Sequence, residues 1–332
     1  MVALPLGAQG SAPLAWVLHD GKAGMASQAL GLAEATGFPF IEKPLTIRLP
    51  WLLLPPRLWP LPLFAAGAEA GLAPPWPDLV IACGRNAAMP ALAIRRRSGG
   101  RTIAAQIQDP GAGHSEFDLF VVPAHDRLRG PRVFVTEGAV HRVTPARLAA
   151  ARRRFPALAA LPRPIVAVLI GGSNRAYRLT LPRLGEIADG IAGVLAATGG
   201  SALITPSRRT GARGAAVLRE RLAGLSAAIW DGGGGNPYFA YLALADTVLV
   251  TADSVSMISE AAATGKPVHI LDLPGGNAKF ARFHEGMRAA GITRPFRGAL
   301  ETWSYAVPDD TRRAGARLRA LVLSRIEERR EA

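Results

Sequence analysis

Ser254, Ser256 and Glu260 stand close together in the second half of the chain, directly after a short apolar run. Ser254 is a candidate helix cap, because a serine at a helix start accepts a hydrogen bond from a backbone N–H. Ser256 lies near the same amino-terminal amides, and such a helix end attracts an anion. Glu260 projects further along the helix, and its carboxylate could accept two hydroxyl hydrogen bonds from the vicinal diol of a ribose. The alternative for Glu260 is an exposed, solvated side chain.

A glycine-containing loop follows Ile165–Ile170, a continuous apolar run with the character of a strand buried on both faces. The loop consists of Gly171, Gly172, Ser173 and Asn174. Two glycines and a small hydroxyl residue can form a concave nest of N–H groups in which a diphosphate would rest. Arg178 follows within reach of negative charge. The loop therefore predicts a phosphate-binding site.

A loop near the amino terminus combines glycines with charged side chains. It contains Asp20, Gly21, Lys22 and Gly24. The glycines would let the backbone approach a ligand closely, and the amides of the following helix favour an anion. A plain turn with a helix cap explains the same residues equally well, because the spacing matches neither the dinucleotide-binding motif nor the P-loop.

The elements that position these loops follow one pattern, in which short apolar runs alternate with longer amphipathic ones. This pattern is typical of parallel strands joined by crossover helices. We predict an α/β protein with two Rossmann-like, doubly wound parallel-sheet domains facing each other across a cleft. The domains are residues 1–155 and 156–332, and the last helix is expected to pack back on the first domain. Ligands of such sheets lie beyond the carboxyl ends of the strands.

The amino-acid composition excludes several classes of protein. The chain of 332 residues is 49% hydrophobic and contains one cysteine, Cys83, which excludes a disulfide framework and a cysteine-based metal cluster. The net charge of +14 is spread over both halves rather than gathered in a basic arm. We therefore expect anionic small molecules or an acidic membrane surface as partners and no nucleic acid. No metal-ligand spacing is found.

A proline-rich apolar stretch, LPWLLLPPRLWPLPLF at residues 49–64, is too short and too interrupted to span a bilayer. It is either a buried connection or a surface that enters a membrane interface. The amino terminus lacks a signal-peptide pattern. We expect a cytoplasmic protein, with a peripheral position at the inner face of the inner membrane as a further expectation.

Two segments resemble the donor half of GT-B glycosyltransferases, namely IGGSNRAYRL and NPYFAYLALADTVLVTADSVSMISEAAATGKPVHIL. The most similar pattern is that of the transferase that adds N-acetylglucosamine to the lipid-linked precursor of peptidoglycan. The resemblance implies that residues 171–173 match the family's glycine loop and that Glu260 holds the nucleotide ribose. HDGKAG departs from the multi-glycine loop that the family has near its amino terminus.

A second resemblance covers nearly the whole chain, including DGKAGMASQALGLAEA, LVIACGRNAAMPALAIRR, ITPSRRTG and RPFRGALETWSY. These segments resemble the bacterial members of the plant mitochondrial-fission "elongated mitochondria" family. The resemblance implies a glycosyltransferase, and an older description of such proteins is nucleoside-diphosphate-sugar epimerase. Plant relatives recruit a dynamin-like GTPase, a role that we do not expect in this chain.

Read as a transferase, the chain would use a nucleoside-diphosphate sugar as substrate, with no cofactor or metal, and an envelope or lipid-linked glycan as acceptor. Asp20 or Asp109 would be the general base, with His114 and His125 as alternatives. Arg178 or Arg208 would offset charge on the leaving group. The acceptor side would contain Gly21, Lys22, Gly24, Gly84, Arg85 and Asn86.

Two other functions remain open at this point. One is a nucleotide-sugar epimerase on the same fold, and the other is a non-catalytic scaffold that binds a protein or a membrane. Asn236 and Tyr238 precede a helix and either frame the base or sugar or, for Asn236, cap that helix.

Overall fold

The computed structural model describes residues 12–331, and within them twelve strands alternate with ten α-helices. The strands are β1 (Ala15–His19), β2 (Phe40–Pro44), β3 (Leu79–Cys83), β4 (Ile103–Ile107), β5 (Leu119–Pro123), β6 (Val133–Thr136), β7 (Ile165–Ile170), β8 (Ser201–Pro206), β9 (Ala227–Ile229), β10 (Thr247–Thr251), β11 (Val268–Leu271) and β12 (Thr293–Pro295).

The helices are α1 (Ala23–Thr36), α2 (Pro62–Ala65), α3 (Arg85–Arg97), α4 (Pro145–Arg154), α5 (Leu181–Thr198), α6 (Gly211–Arg221), α7 (Tyr238–Leu244), α8 (Val255–Ala262), α9 (Ala278–Ala289) and α10 (Asp310–Glu331). Within the described part of the chain, none of these helices combines the length and the apolar character needed to cross a bilayer.

The first six strands form one parallel sheet in the order β2-β1-β3-β4-β5-β6. The strands β1, β3, β4 and β5 are buried along their whole length, as expected for strands with helices on both faces. The chain moves from β1 outward to β2 and then returns to β3 on the other side of β1. The carboxyl ends of β1 and β3 therefore flank the switch point of this sheet, where α/β folds bind ligands.

The carboxyl-terminal helix α10 packs on α1. A Cβ atom added at Gly315 would lie 2.4 Å from the Cβ of Ala35, so the backbones approach closely at this point. The guanidinium of Arg319 donates a hydrogen bond to the carbonyl of Thr36 at 2.9 Å. The helix thus belongs to the same compact unit as the first sheet.

The other six strands form a second parallel sheet in the order β12-β11-β10-β7-β8-β9. The chain runs from β7 outward through β8 to β9 and then crosses back to β10 on the other side of β7. This is the Rossmann strand order, and its switch point lies between β7 and β10. The predicted fold class, α/β with two parallel Rossmann-like sheets, is confirmed.

The compact units divide the chain at a different place from the predicted residue 155/156. The first unit ends at Thr136 and includes the chain from Asp310 onward, and the second unit is Glu137–Asp309. Residues after Thr136 contact the second sheet's helices: the amide of Ala139 donates to the Ser259 hydroxyl at 2.9 Å. The guanidinium of Arg147 on α4 lies 5.4 Å from the ring centre of Phe239 on α7.

The proline-rich stretch is largely exposed, which contradicts the alternative of a buried connection. It carries two short 3-10 turns, Trp51–Leu53 and Pro56–Leu58, followed by α2. Trp59 and Leu63 are buried, whereas most of its leucines face solvent.

The burial of His141 in the second unit gives a pH-dependent stability. Burial lowers its pKa from 6.5 to about 4. The unfolded chain therefore binds more protons than the folded chain between these values, and stability falls as the pH falls below 6.5. We expect a loss of about 1.5 kcal/mol from this residue between pH 6.5 and pH 5. Thermal melts of wild type and His141→Gln across this range test the expectation, which fails if both proteins show the same pH dependence.

Candidate functional site

The loops that follow β7 and β10 are joined by hydrogen bonds at the switch point of the second sheet. The amide of Gly172 donates to Oδ2 of Asp253 at 3.1 Å, and the side-chain amide of Asn174 donates to the Asp253 carbonyl at 3.3 Å. The structure therefore brings together the two clusters that the sequence singled out. Both lie at the edge of the sheet where a doubly wound fold presents helix amino termini.

The two glycines of the β7 loop are required by close packing. A Cβ atom at Gly171 would lie 2.4 Å from both carboxylate oxygens of Asp253. At Gly172 it would lie 2.5 Å from the backbone carbonyl carbon of Arg209. Any side chain would therefore displace Asp253 or the β8 loop.

Three of the four amides in this loop already have acceptors within the second unit. Besides the Gly172 amide, Gly171 donates to Oγ1 of Thr251 at 2.8 Å and Asn174 donates to the Tyr177 carbonyl at 2.9 Å. Among the described residues, only the Ser173 amide of this loop has no acceptor. The diphosphate-binding role of Gly171 and Gly172 stays a prediction. In this structure the amides of both glycines donate hydrogen bonds to acceptors of the protein itself.

A buried carboxylate lies at the centre of the loop cluster. The side chain of Asp253 is 0% exposed, and its Oδ2 lies 2.6 Å from Nη1 of Arg209, which also donates to the Gly172 carbonyl at 2.6 Å. Oδ1 of Asp253 has no hydrogen-bond partner among the described residues. Because Arg209 pairs with Asp253, the two side chains together add no net charge to this edge of the sheet.

Arg208, chosen from the sequence, precedes Arg209 in the β8 loop, and both residues are exposed. Arg178 is also exposed, and its backbone amide donates to the Pro274 carbonyl at 2.9 Å, next to the loop that follows β11. Neither Arg209 nor Asp253 was among the predicted site residues.

Ser254 caps α8, as predicted. Its hydroxyl accepts a hydrogen bond from the Met257 amide at 3.4 Å and remains able to donate its own proton to a ligand. Ser256 lies in the first turn and is half-buried. The first turn of α8 and its cap therefore carry two hydroxyl residues, Ser254 and Ser256.

Glu260 lies further along α8 and is only 6% exposed, so the alternative of a solvated side chain is wrong. The Tyr238 hydroxyl donates to Oε2 of Glu260 at 2.5 Å. Burial, followed by the charge of Glu260, raises the pKa of Tyr238 well above its usual value, so the phenol remains a neutral donor. The Asn236 side chain accepts the Tyr238 amide at 2.9 Å just before α7, whose cap position is occupied by Pro237.

The first unit places Asp20 at the end of β1, in contact with the Lys22 ammonium group. Asp109 follows β4 and accepts a hydrogen bond from Nε2 of His114 at 2.8 Å. Because β3 lies between β1 and β4, the strands that precede the two carboxylates are about two strand spacings, or ~10 Å, apart. His125 is buried.

The predicted acceptor-side loop after β3 lies between these carboxylates in the strand order. Gly84 has a φ of 81°, which favours glycine, and it precedes the first residue of α3, Arg85. Gln106 on β4 donates to the Gly84 carbonyl at 3.3 Å. Gly21, Lys22, Gly24, Gly84, Arg85 and Asn86 thus stand at the carboxyl ends of β1 and β3, the switch point of the first sheet.

No group of three or more His, Cys, Asp or Glu side chains that could hold a metal ion is found among residues 12–331. A metal-independent reaction stays a prediction.

The two parallel sheets define the class of protein. The fold is of the GT-B type, and a solved structure of the same fold is the UDP-GlcNAc 2-epimerase of Methanocaldococcus jannaschii in complex with UDP-GlcNAc and UDP. The two chains are 14% identical, the TM-score is 0.54, and the similarity covers 94% of this chain and 99% of the epimerase chain. At this identity the similarity shows the fold alone.

The chain belongs to the mitochondrial fission ELM1 family, whose model matches residues 23–322. Mitochondrial fission protein ELM1 of Arabidopsis thaliana is 36% identical over 279 residues, which are 75% of this chain and 65% of the plant protein. The chain thus spans less than two thirds of that relative's length. Uncharacterized protein RP120 of Rickettsia prowazekii (strain Madrid E) is 25% identical over 338 residues, or 87% of this chain and 93% of the relative. The family resemblance seen in the sequence is confirmed.

Proposed function

We propose that the second unit binds a nucleoside-diphosphate sugar at the carboxyl ends of β7 and β10, and that the protein transfers the sugar to an envelope or lipid-linked glycan. The observation that carries the proposal is the joining of the β7 loop to the β10 loop at the switch point, with the start of α8 and the buried Glu260 beside it.

The diphosphate would accept hydrogen bonds from the Ser173 amide and from the hydroxyls of Ser254 and Ser256. The amino-terminal end of α8 adds a favourable partial positive charge. Gly171 and Gly172 would serve the site by allowing the close contact with Asp253 and Arg209 that fixes the loop. The exposed arginines Arg178 and Arg208 supply positive charge for the leaving nucleotide.

The ribose would bind at Glu260. A carboxylate has two oxygens and several lone pairs, so Glu260 can accept a diol while it keeps the hydrogen bond from Tyr238. In this role Tyr238 holds the carboxylate in one orientation, which lowers the entropy lost on binding.

The similarity to a structure solved with UDP-GlcNAc and UDP supports uridine nucleotides as the first ligands to test. Transfer also needs a base for the acceptor hydroxyl. Asp20 and Asp109, at the carboxyl ends of strands in the first sheet, remain the candidates for this role.

The experiment is incubation of the protein with UDP-, GDP-, CMP- and ADP-sugars, with and without a bacterial lipid extract as acceptor. Transfer predicts release of the nucleoside diphosphate, or of CMP from the CMP-sugar, that depends on the extract, together with a labelled lipid product. A new sugar epimer without acceptor would contradict transfer and establish an epimerase.

A thermal melt with each nucleotide sugar tests binding separately from turnover. A ligand at 100 times its dissociation constant should stabilise the protein by about 2.7 kcal/mol. The absence of any shift across the panel would overturn the nucleotide site and leave a scaffold.

A further inference from the structure

An exposed apolar surface lies on the first unit, whereas the residues to which the proposed function assigns the nucleotide belong to the second unit. Of the eleven large hydrophobic side chains that are exposed among residues 12–331, seven fall within residues 49–64. These seven, which we call the leucine surface, are Leu49, Leu52, Leu53, Leu54, Leu58, Leu61 and Phe64. Such clustering marks an interaction site, because isolated apolar side chains are the norm on a protein surface.

From this surface we infer that the protein docks on an anionic lipid bilayer. Exposure reaches 78% at Leu53 and 67% at Leu49, so these side chains can enter an interface without rearrangement of the fold. Each leucine that leaves water contributes favourable free energy. This inference goes beyond the proposed function and does not depend on it.

The backbone of this segment suits entry into an apolar phase. Prolines occupy five positions within residues 49–64 and carry no N–H. The amides of Leu52, Leu53 and Leu54 donate to carbonyls of residues 48, 50 and 51 at 3.0–3.1 Å. Likewise, Leu58 and Phe64 donate to the carbonyls of residues 55 and 61 at 2.9 Å. Irregular backbone is normally costly in lipid because its N–H groups lose their hydrogen bonds to water. Few N–H groups of this segment would lose such bonds on insertion, so the free-energy cost is small.

The two tryptophans stabilise this segment through hydrogen bonds within it. The indole N–H of Trp51 donates to the Pro60 carbonyl at 2.6 Å, and that of Trp59 donates to the Leu54 carbonyl at 3.0 Å. The ring of Trp51 also meets Phe64 edge-on, with 5.5 Å between ring centres. The leucine surface is therefore ordered before it binds, which reduces the entropy cost of docking.

The charges beside the leucine surface select an anionic membrane. Arg57 interrupts the segment and lines a pocket of about 270 Å³ together with Pro55, Pro56 and Arg85. Two arginines in the lining of one pocket suit a lipid phosphate. Arg48 lies over the ring of Phe64 at 5.7 Å and pairs with Glu69 at 3.5 Å, and the whole chain carries a net charge of +14. A second copy of this chain would bring like charges together, which disfavours a dimer at this surface.

Vesicle co-sedimentation of the full chain without nucleotide tests the inference. The vesicles are phosphatidylcholine alone and phosphatidylcholine mixed with phosphatidylglycerol. We expect binding to the mixed vesicles, weakened by salt.

Leu52→Ser combined with Leu53→Ser should weaken vesicle binding at least about tenfold, because two leucines no longer leave water. Arg57→Gln should weaken it about fivefold. Val307→Ser, which removes a half-exposed side chain in the second unit, is the matched control and should bind as wild type does.

Circular dichroism and melting of each variant establish that it is folded. Failure of the wild type to bind anionic vesicles, or equal binding by the double serine variant, would overturn the inference. Size-exclusion chromatography with light scattering tests whether a second copy of the chain binds this surface instead. If the wild type is a dimer that the double variant does not form, and if the wild type does not bind vesicles, the leucine surface serves self-association.

Discussion

Replacing Arg209 with methionine is expected to lower the free energy of unfolding by about 3 kcal/mol. The substitution leaves the fully buried Asp253 carboxylate without its cation, 2.6 Å away in the wild type, and removes the bond from Arg209 to the Gly172 carbonyl. Breaking one side of a buried ion pair is costly because the remaining charge stays desolvated. We place the loss at the lower end of the usual range, since the Arg209 side chain is 40% exposed.

Arg208→Met is the matched control for this prediction. Arg208 is the preceding residue, carries the same charge and is exposed. Its removal should change the thermal midpoint little while weakening nucleotide binding. Equal loss of stability in both variants would show that Arg209 does not hold the β7 loop through Asp253.

Replacing Glu260 with glutamine is expected to weaken nucleotide-sugar binding about tenfold. A hydrogen bond to a charged group is stronger than one to a neutral amide by about 1–1.5 kcal/mol, and the ribose hydroxyls would lose that difference. The glutamine oxygen can still accept from the Tyr238 hydroxyl, so the thermal midpoint should stay close to that of the wild type. Titration calorimetry with the best ligand of the panel measures the change.

Glu220→Gln serves as the control, because Glu220 is an exposed glutamate on α6 of the same unit. It makes the same chemical change away from the site and should leave the dissociation constant unaltered. Unchanged affinity in Glu260→Gln would discard the ribose role. A large loss of stability in that variant would assign Glu260 to holding Tyr238 and the fold instead.

The buried strands and the loops that follow them could be predicted from the sequence. Strands such as β7 and β10 are continuous apolar runs, and a parallel sheet with helices on both faces requires such runs. Because glycine, serine and charged residues follow these runs, the residue pattern alone predicts which loops lie at the sheet edge. The cap at Ser254 followed from the same local chemistry.

The edge strands β2, β9 and β12 could not be predicted in this way. They are three to five residues long and only partly buried, so they lack the apolar run that marks a central strand. The compact units divide the chain after Thr136, and the hydrogen bond between Ala139 and Ser259 that ties the following residues to the second unit joins residues far apart in the chain.

The pairing of Asp253 with Arg209 could not be predicted either. Arg208 and Arg209 are adjacent and chemically identical, so only the direction of the backbone after β8 decides which one turns toward the β7 loop. The burial of Glu260 has a similar origin, since it depends on Tyr238 on another helix. Local patterns predict which loops carry chemistry, whereas long-range packing decides which side chains face each other.

The nucleotide site is tested most directly by a crystal structure of this protein soaked with a mixture of nucleotide sugars. We predict a pyrophosphate beside the Ser173 amide and the Ser254 hydroxyl, with both ribose hydroxyls on the carboxylate of Glu260. A nucleotide bound elsewhere, or this sheet edge unoccupied after soaking, would contradict the proposal and leave the GT-B fold without the ligand we assign to it.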